Sequence, residues 1–260
     1  MTIRLQIEED VGCIEIARPE RKNALTTGMY GELADALGSC GGNDAVRAIV
    51  LRGAPTVFCA GNDIHDFLQP PSTSEATISR FMKALIEQEK PVIAAVNGAA
   101  VGIGTTMLMH CDLVYAADDA MFSMPFVSLG ICPEFGSSVL VPLAAGYHKA
   151  AEKLLFGEPI SAEEAVEMGL VNRLLPPGGV LEYAMHQARR FRALPPGAVR
   201  ETKRLLKSGW RAAVQAAIDD ELRSVMRLLA TPESREALSA FLERRKPDFA
   251  RAVSSAAKNA

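Results

Sequence analysis

The chain has no Cys-x-x-Cys pair, few aromatic residues and no large charge of either sign. It also has no unbroken apolar run long enough to cross a membrane. The five cysteines (Cys13, Cys40, Cys59, Cys111, Cys132) are scattered. That argues against a zinc knuckle or a disulfide scaffold and suits a reducing, cytoplasmic compartment. A net charge of −3 over 260 residues gives no basic footprint for nucleic acid. His110, His148 and His186 show no metal-ligand spacing, so no metal site is expected. The most apolar stretch, "PVIAAVNGAAVGIGTTMLM" (91–109), is interrupted by Asn97 and three glycines. It reads as a buried strand, a turn and a helix start, and no membrane association is expected. The opening "MTIRLQIEED" has no apolar run of the secretory type. The closing "AAKNA" carries no lipidation or peroxisomal address.

What is present is a core-forming composition, 48% hydrophobic, in an α/β pattern. "IRLQIEE" and "VGCIEIA" flank Asp10 and Gly12 and predict a β-hairpin. Thr26 or Thr27 caps a helix running to about Gly38. "VRAIVLRG" (46–53) is a compact apolar run, expected to be a buried parallel strand. A helix over 74–88, the strand "PVIAAVN", a helix from Gly104 and the strand "DLVYAA" continue the alternation. "YHKAAEKLLFG" predicts a helix closed by Gly157. Ser161 with Glu164 three residues on is a capping-box signature. From 180 onward the pattern is almost wholly helical. The chain therefore divides into an α/β core, 1–195, and a helical C-terminal region, 196–260. No internal repeat stands out.

Three stretches invite chemistry. "NGAAVGIGTT" (97–106) follows a strand and opens a helix, as a dinucleotide fingerprint requires, but its third glycine position is Met107. Such a turn can instead aim backbone N–H groups at an anion. "FCAGNDI" (58–64) is a second small-residue turn after a strand, so the pair could form an oxyanion hole or be no more than tight turns. In "SLGICPEFGSS" (128–138), Glu134 is the only carboxylate between Asp119 and Glu152. It is either an exposed loop acid beside a proline or a base held in a dry place. Walls of Phe126, Ile131 and Phe135 would raise its pKa by desolvation. Arg18, Arg21 and Lys22 form a local basic cluster suited to phosphates or to a solvated loop. His65 is a lone histidine with no partner in view.

The order and spacing of "RPERKNAL", "FCAGNDI", "AAVNGAAVGIGTTMLMHCDLVYAADDAMFSMPFVSLGICPEFGSS", "AEKLLFGEPISAEEAVEMGLVNRLLP" and "AFLERRKPDF" resemble the crotonase, or enoyl-CoA hydratase/isomerase, superfamily over nearly the whole chain. The resemblance implies a crotonase-type spiral of ββα units with a C-terminal helical trimerisation region. It also implies homotrimers or hexamers, an acyl-CoA thioester substrate, and no cofactor beyond the coenzyme A carried on that substrate. Matched position by position, the oxyanion-hole N–H donors fall at Asn62 and Ile103. Ala60, Gly61, Asp63, Ile64 and Gly102 fall along the thioester and pantetheine end, and Lys22 and Ala24 at CoA-contacting positions. Phe126 and Met107 are assigned to the acyl pocket, Met107 being suited to core or to pocket lining.

Hydratases of the superfamily carry two glutamates at the positions held here by Thr106 and Phe126, neither of which is a base at neutral pH. "PFVSLGICPEFGSS", "AVGI", "DLVYA" and "LLFGEPI" are similar to the peroxisomal-type Δ3,Δ2-enoyl-CoA isomerases, which use a single glutamate after a proline. That similarity makes Glu134 the expected catalytic residue and isomerisation, as in fatty-acid β-oxidation, the expected reaction.

Overall fold

The computed structural model describes residues 2–67, 74–250 and 252. Strands β1 (Ile3–Glu8) and β2 (Val11–Ile16) form the expected antiparallel hairpin. Helix α1 (Thr27–Gly42) starts at Thr26, whose side chain accepts the Met29 N–H. It runs four residues past Gly38, because Leu37 and Cys40 on its inner face are buried and packing outweighs the low helix propensity of the glycines. Strand β3 (Ala48–Arg52) pairs in parallel with β2 and with β5 (Val92–Val96). Its run of apolar residues reflects burial on both faces.

After β3 the chain steps into a second sheet, and it does so repeatedly. Strands β4 (Val57–Cys59), β6 (Ala99–Val101) and β8 (Met121–Ser123) make a three-stranded parallel sheet. Strands β1, β2, β3, β5, β7 (Leu113–Ala117) and β9 (Arg173–Leu175) lie in that order in the larger one. From β3 to β8 each turn of the spiral thus gives one strand to each sheet before a helical segment returns the chain. The α/β fold of repeated ββα units follows. The helical segments are α2 (Ile64–Phe67) and α3 (Ser74–Ile86), then α4 (Ile103–Thr106), which tightens into a 3-10 helix over Met107–His110. Two glycines sit where the chain changes sheets. A Cβ on Gly53 would lie 2.4 Å from the Phe58 carbonyl oxygen, and one on Gly98 2.0 Å from that of Thr56.

The remaining helices are α5 (Ser137–Ala145), α6 (Tyr147–Phe156), α7 (Ala162–Glu167), α8 (Val180–Arg189), α9 (Pro196–Ser208), α10 (Arg211–Leu229) and α11 (Pro232–Leu242). Gly157 closes α6 in the left-handed conformation, and Ser161 and Glu164 form the capping box of α7. Helix α8 buries Val180, Ala184 and Ala188 against β3, β5 and β7. Lys203 on α9 is buried and ties that helix to the sheet, donating to the Lys90 carbonyl at 2.8 Å and the Asp112 carboxylate at 2.6 Å. No helix among the described residues is long and apolar enough to cross a membrane.

Another close contact joins the small sheet to α4. A Cβ on Gly104 would fall 2.5 Å from the Cys59 carbonyl oxygen and 2.9 Å from its Cβ. Gly104→Ala is expected to lower the melting temperature by several degrees, corresponding to about 1–3 kcal/mol of overpacking. Gly38→Ala, in open space on α1, should stabilise by roughly 0.5–1 kcal/mol. Parallel thermal unfolding of the two variants checks both signs.

Candidate active site

The parallel pairing of β4 with β6 sets their C-terminal ends side by side, and the turns that follow touch. Gly61 has φ of +93° and a Cβ there would stand 3.0 Å from the Val101 carbonyl oxygen. Gly102, at φ +54°, donates its N–H to Ser123 on β8 at 2.8 Å and starts α4. The amide nitrogens of Asn62 and Ile103 then follow these glycines, and neither has an acceptor among the described residues. Two free N–H groups from adjacent turns, one of them opening a helical segment, suit a developing oxyanion.

The loop before α1 is fastened to the same place. Ala60 N–H donates to the Lys22 carbonyl, Leu25 N–H to Gly61 and Asp63 N–H to Leu25, at 2.8–3.1 Å. Buried Asn23, left-handed at φ +59°, donates from its side chain to the Val57 and Phe58 carbonyls. Lys22, Ala24, Ala60, Gly61 and Asp63 are therefore brought together, with Ile64 next along the chain. The basic cluster is divided. Lys22 and Arg21 are exposed, but Arg18 is held by Asp63 at 2.8 Å and by the Ala24 carbonyl at 2.9 Å. Burial works against ionisation of Asp63, yet hydrogen bonds from Arg18 and the His65 N–H hold its carboxyl below the usual range. The side chain of Asp63 thus serves the loop's structure.

A cavity of about 510 Å³ opens beside the turns. Asn62, Phe126, Ile131, Glu134 and Phe135 wall it, together with apolar side chains of α3 and α10 such as Ile78, Met82, Ile218 and Met226. Met107 does not belong to the acyl pocket as expected. It is fully buried in the core and absent from the cavity wall, because the 3-10 segment turns it inward. Asn62 accepts a hydrogen bond from the Tyr30 hydroxyl.

Glu134 faces this cavity. Burial pushes its carboxyl up from 4.5 to about 8; a hydrogen bond from Thr106 works in the other direction, and the neighbouring Glu221 adds to the rise. The Thr106 hydroxyl donates to Glu134 Oε1 at 2.5 Å. Thr106, chemically silent as read from the sequence, is thus the immediate partner of the candidate base. Three other carboxylates on the cavity wall, Glu75, Glu87 and Asp219, are exposed.

The next residue holds Glu134 in place. Phe135 is left-handed at φ +57°, an uncommon conformation for a bulky residue. His110 meets it twice, with Nε2 2.8 Å from the Phe135 carbonyl oxygen and its ring stacked on the phenyl at 4.0 Å. A carbonyl only accepts, so Nε2 carries the proton. Burial lowers the His110 pKa to about 4 and keeps the ring neutral; the Phe135 bond opposes this and Lys207 adds to it. Ile103, Thr106 and His110 follow at helical spacing, so one short segment presents an N–H, a hydroxyl and an imidazole to one region. Neither Thr106 nor His110 is signalled by its neighbours in sequence. His65 is exposed. Among the described residues no three His, Cys, Asp or Glu side chains gather as metal ligands.

The sequence profile of the enoyl-CoA hydratase/isomerase family matches residues 6–252, and the chain belongs to that family. Its similarity to particular members is broad. It is 33% identical over 252 residues to the 1,2-epoxyphenylacetyl-CoA isomerase of Escherichia coli, covering 94% of this chain and 96% of that one. It is 32% identical over 244 residues to 2,3-dehydroadipyl-CoA hydratase of the same organism, covering 93% and 96%. Human enoyl-CoA delta isomerase 2 is 33% identical, with 94% of this chain matched to 64% of that one. Among solved structures, Pseudomonas aeruginosa OdaA superposes with a TM-score of 0.89 at 47% identity, covering 92% of this chain and 98% of that one. An enoyl-CoA hydratase/isomerase from Pseudoalteromonas atlantica gives 0.91 at 38%, covering 96% and 100%.

Folding raises the proton affinity of Glu134, so the native state binds this proton more tightly than the unfolded chain between pH 4.5 and about 8. The associated stability is present below the lower value and lost as pH rises through the upper one. Glu134→Gln should therefore gain melting temperature over the parent as pH rises from 4.5 to 9. A difference that stays constant across calorimetric scans would exclude the raised pKa.

Proposed function

We propose that this protein converts 3-enoyl-CoA thioesters to 2-enoyl-CoA thioesters, with Glu134 as the single proton-shuttling carboxylate. The thioester carbonyl binds at the N–H groups of Asn62 and Ile103. Glu134 removes a proton from C2, and the electrons pass into a dienolate whose oxygen those N–H groups hold. The same carboxyl then delivers the proton to C4, and the double bond moves from C3–C4 to C2–C3. One group that takes and returns one proton needs no second acid. CoA contacts are assigned to Lys22, Ala24, Ala60, Gly61, Asp63, Ile64 and Gly102, with Phe126 lining the acyl side.

The observation that carries this reading is the isolation of Glu134. Among the described carboxylates of the cavity wall it is the one that is not fully exposed, and its side chain is hydrogen-bonded by a threonine hydroxyl. Hydration of a double bond must both activate water and deliver a proton, and Thr106 and Phe126 supply neither role. A pKa near 8 makes the carboxylate a stronger base than an ordinary glutamate. The names of relatives include isomerases as well as hydratases. We also infer assembly into homotrimers or hexamers through the C-terminal helices, supported by exposed Leu205 and Leu206 on α9 and Phe241 and Leu242 on α11.

The test pairs two substrates. With 3-hexenoyl-CoA the conjugated-enoyl absorbance should appear, with kcat rising as pH passes through about 8. With crotonyl-CoA that absorbance should persist. Glu134→Gln should lose at least ~10³-fold in kcat, the scale of removing a general base, while acyl-CoA affinity changes little. Full turnover in that variant, or rapid loss of the crotonyl signal, would point to a different base or to hydration.

A further inference from the structure

The loop that carries Glu134 is built from two sides, and one of them is the C-terminal helix α10. Glu221 on α10 is buried. Its Oε2 accepts the Gly136 N–H at 2.6 Å and its Oε1 the Ser138 N–H at 2.9 Å. These are N–H groups at the start of α5, where no side chain of the capping residue supplies an acceptor. Glu134 sits two residues before Gly136, and its own carbonyl accepts from Ser137 N–H and Oγ at 3.1 and 2.7 Å.

The glycines of the loop show how closely the C-terminal helices approach. Gly136 is left-handed at φ +74°, and a Cβ there would lie 2.9 Å from Val214 Cγ1 on α10. Gly130, at φ +69°, would place a Cβ 2.6 Å from Ser234 Cα on α11. Residues 130–138 are thus clamped between α10 and α11 on one side and His110 on the other.

We propose that Glu221 is a positioning residue for Glu134: it anchors the loop through Gly136 and Ser138 and sets a second carboxyl, from α10, against the loop that carries Glu134, so that α10 sets the pH range of the site. This rests on Glu134 being the reacting carboxyl. Among the described groups packed around Glu134 from other elements, Glu221 is the buried carboxyl. The helical segment 103–110 offers the Thr106 hydroxyl and the neutral His110, α1 offers Tyr30, and the turn after β4 offers Asn62. The charges of α3 and the Asp219 carboxylate of α10 are exposed. Burial accounts for the larger part of the Glu134 shift, and Glu221 adds to it in the same direction. Like charges in a dry site disfavour ionising the second carboxyl.

The experiment replaces Glu221 with Gln and, independently, with Met, both charge-free and of similar length. The inflection of kcat against pH should move down by about half a unit or more, with KM changed less than kcat because Glu221 does not wall the cavity. Titration of Glu134 by 13C NMR of labelled carboxyls, assigned with Glu134→Gln and run without substrate, should move by the same amount. A loss of kcat with both inflections unmoved would mean a structural cap alone and would overturn the proposal. So would failure of both variants to fold. If the parent protein isomerises no enoyl-CoA, the reaction assigned above fails, while the substrate-free titration still decides the role of Glu221.

Discussion

The site depends on two chain turns being allowed to touch. The ends of β4 and β6 bring Cys59 against Gly104, and Gly61 against the Val101 carbonyl, at distances that leave no room for a side chain. With those contacts made, the amides of Asn62 and Ile103 lie on adjacent turns, and neither has an acceptor among the described residues. Everything else is arranged around that seam. The loop before α1 is stitched to it by backbone bonds, and Glu134 is brought to it by Thr106. Preorganised donors of this kind cost no reorganisation when charge develops on a bound carbonyl.

On the wall of the same cavity, the fold holds a carboxyl partly withdrawn from water. Glu134 is desolvated, follows the cavity's aromatic wall, and precedes a strained left-handed Phe135. Such a residue persists only where its surroundings over-determine it. His110, Ser137 and Glu221 provide that determination from three separate elements. The C-terminal helices are consequently part of the candidate site, since α10 supplies both apolar cavity wall and the anchor of the loop that carries Glu134.

Much of the fold was legible because its signals are local. Alternating apolar runs, Gly157 after α6 and the Ser161–Glu164 box are each decided within a few residues, and each formed as expected. The turns at Gly61 and Gly102 were legible as turns, and Glu134 stood out as a carboxylate among apolar neighbours. What escaped was whatever is decided across the chain. Thr106 meets Glu134 from 28 residues away, and Glu221 meets Gly136 from 85. Arg18 read as one member of an open basic cluster rather than as a structural ion pair, because its partner Asp63 lies 45 residues on. Met107 looked like pocket lining because a residue beyond a glycine turn carries no mark of which way it will face. The helix beyond Gly38 escaped for a related reason, since buried Leu37 and Cys40 outweigh the glycines.

The central claim is that one carboxyl carries one proton from C2 to C4. The direct measurement uses 3-hexenoyl-CoA deuterated at C2, turned over in ordinary water and analysed by mass spectrometry and NMR. A single-carboxylate shuttle predicts that a measurable share of product carries deuterium at C4. Product whose C4 hydrogen comes wholly from water even in a single turnover, or a 3-hydroxyacyl-CoA in its place, would contradict it.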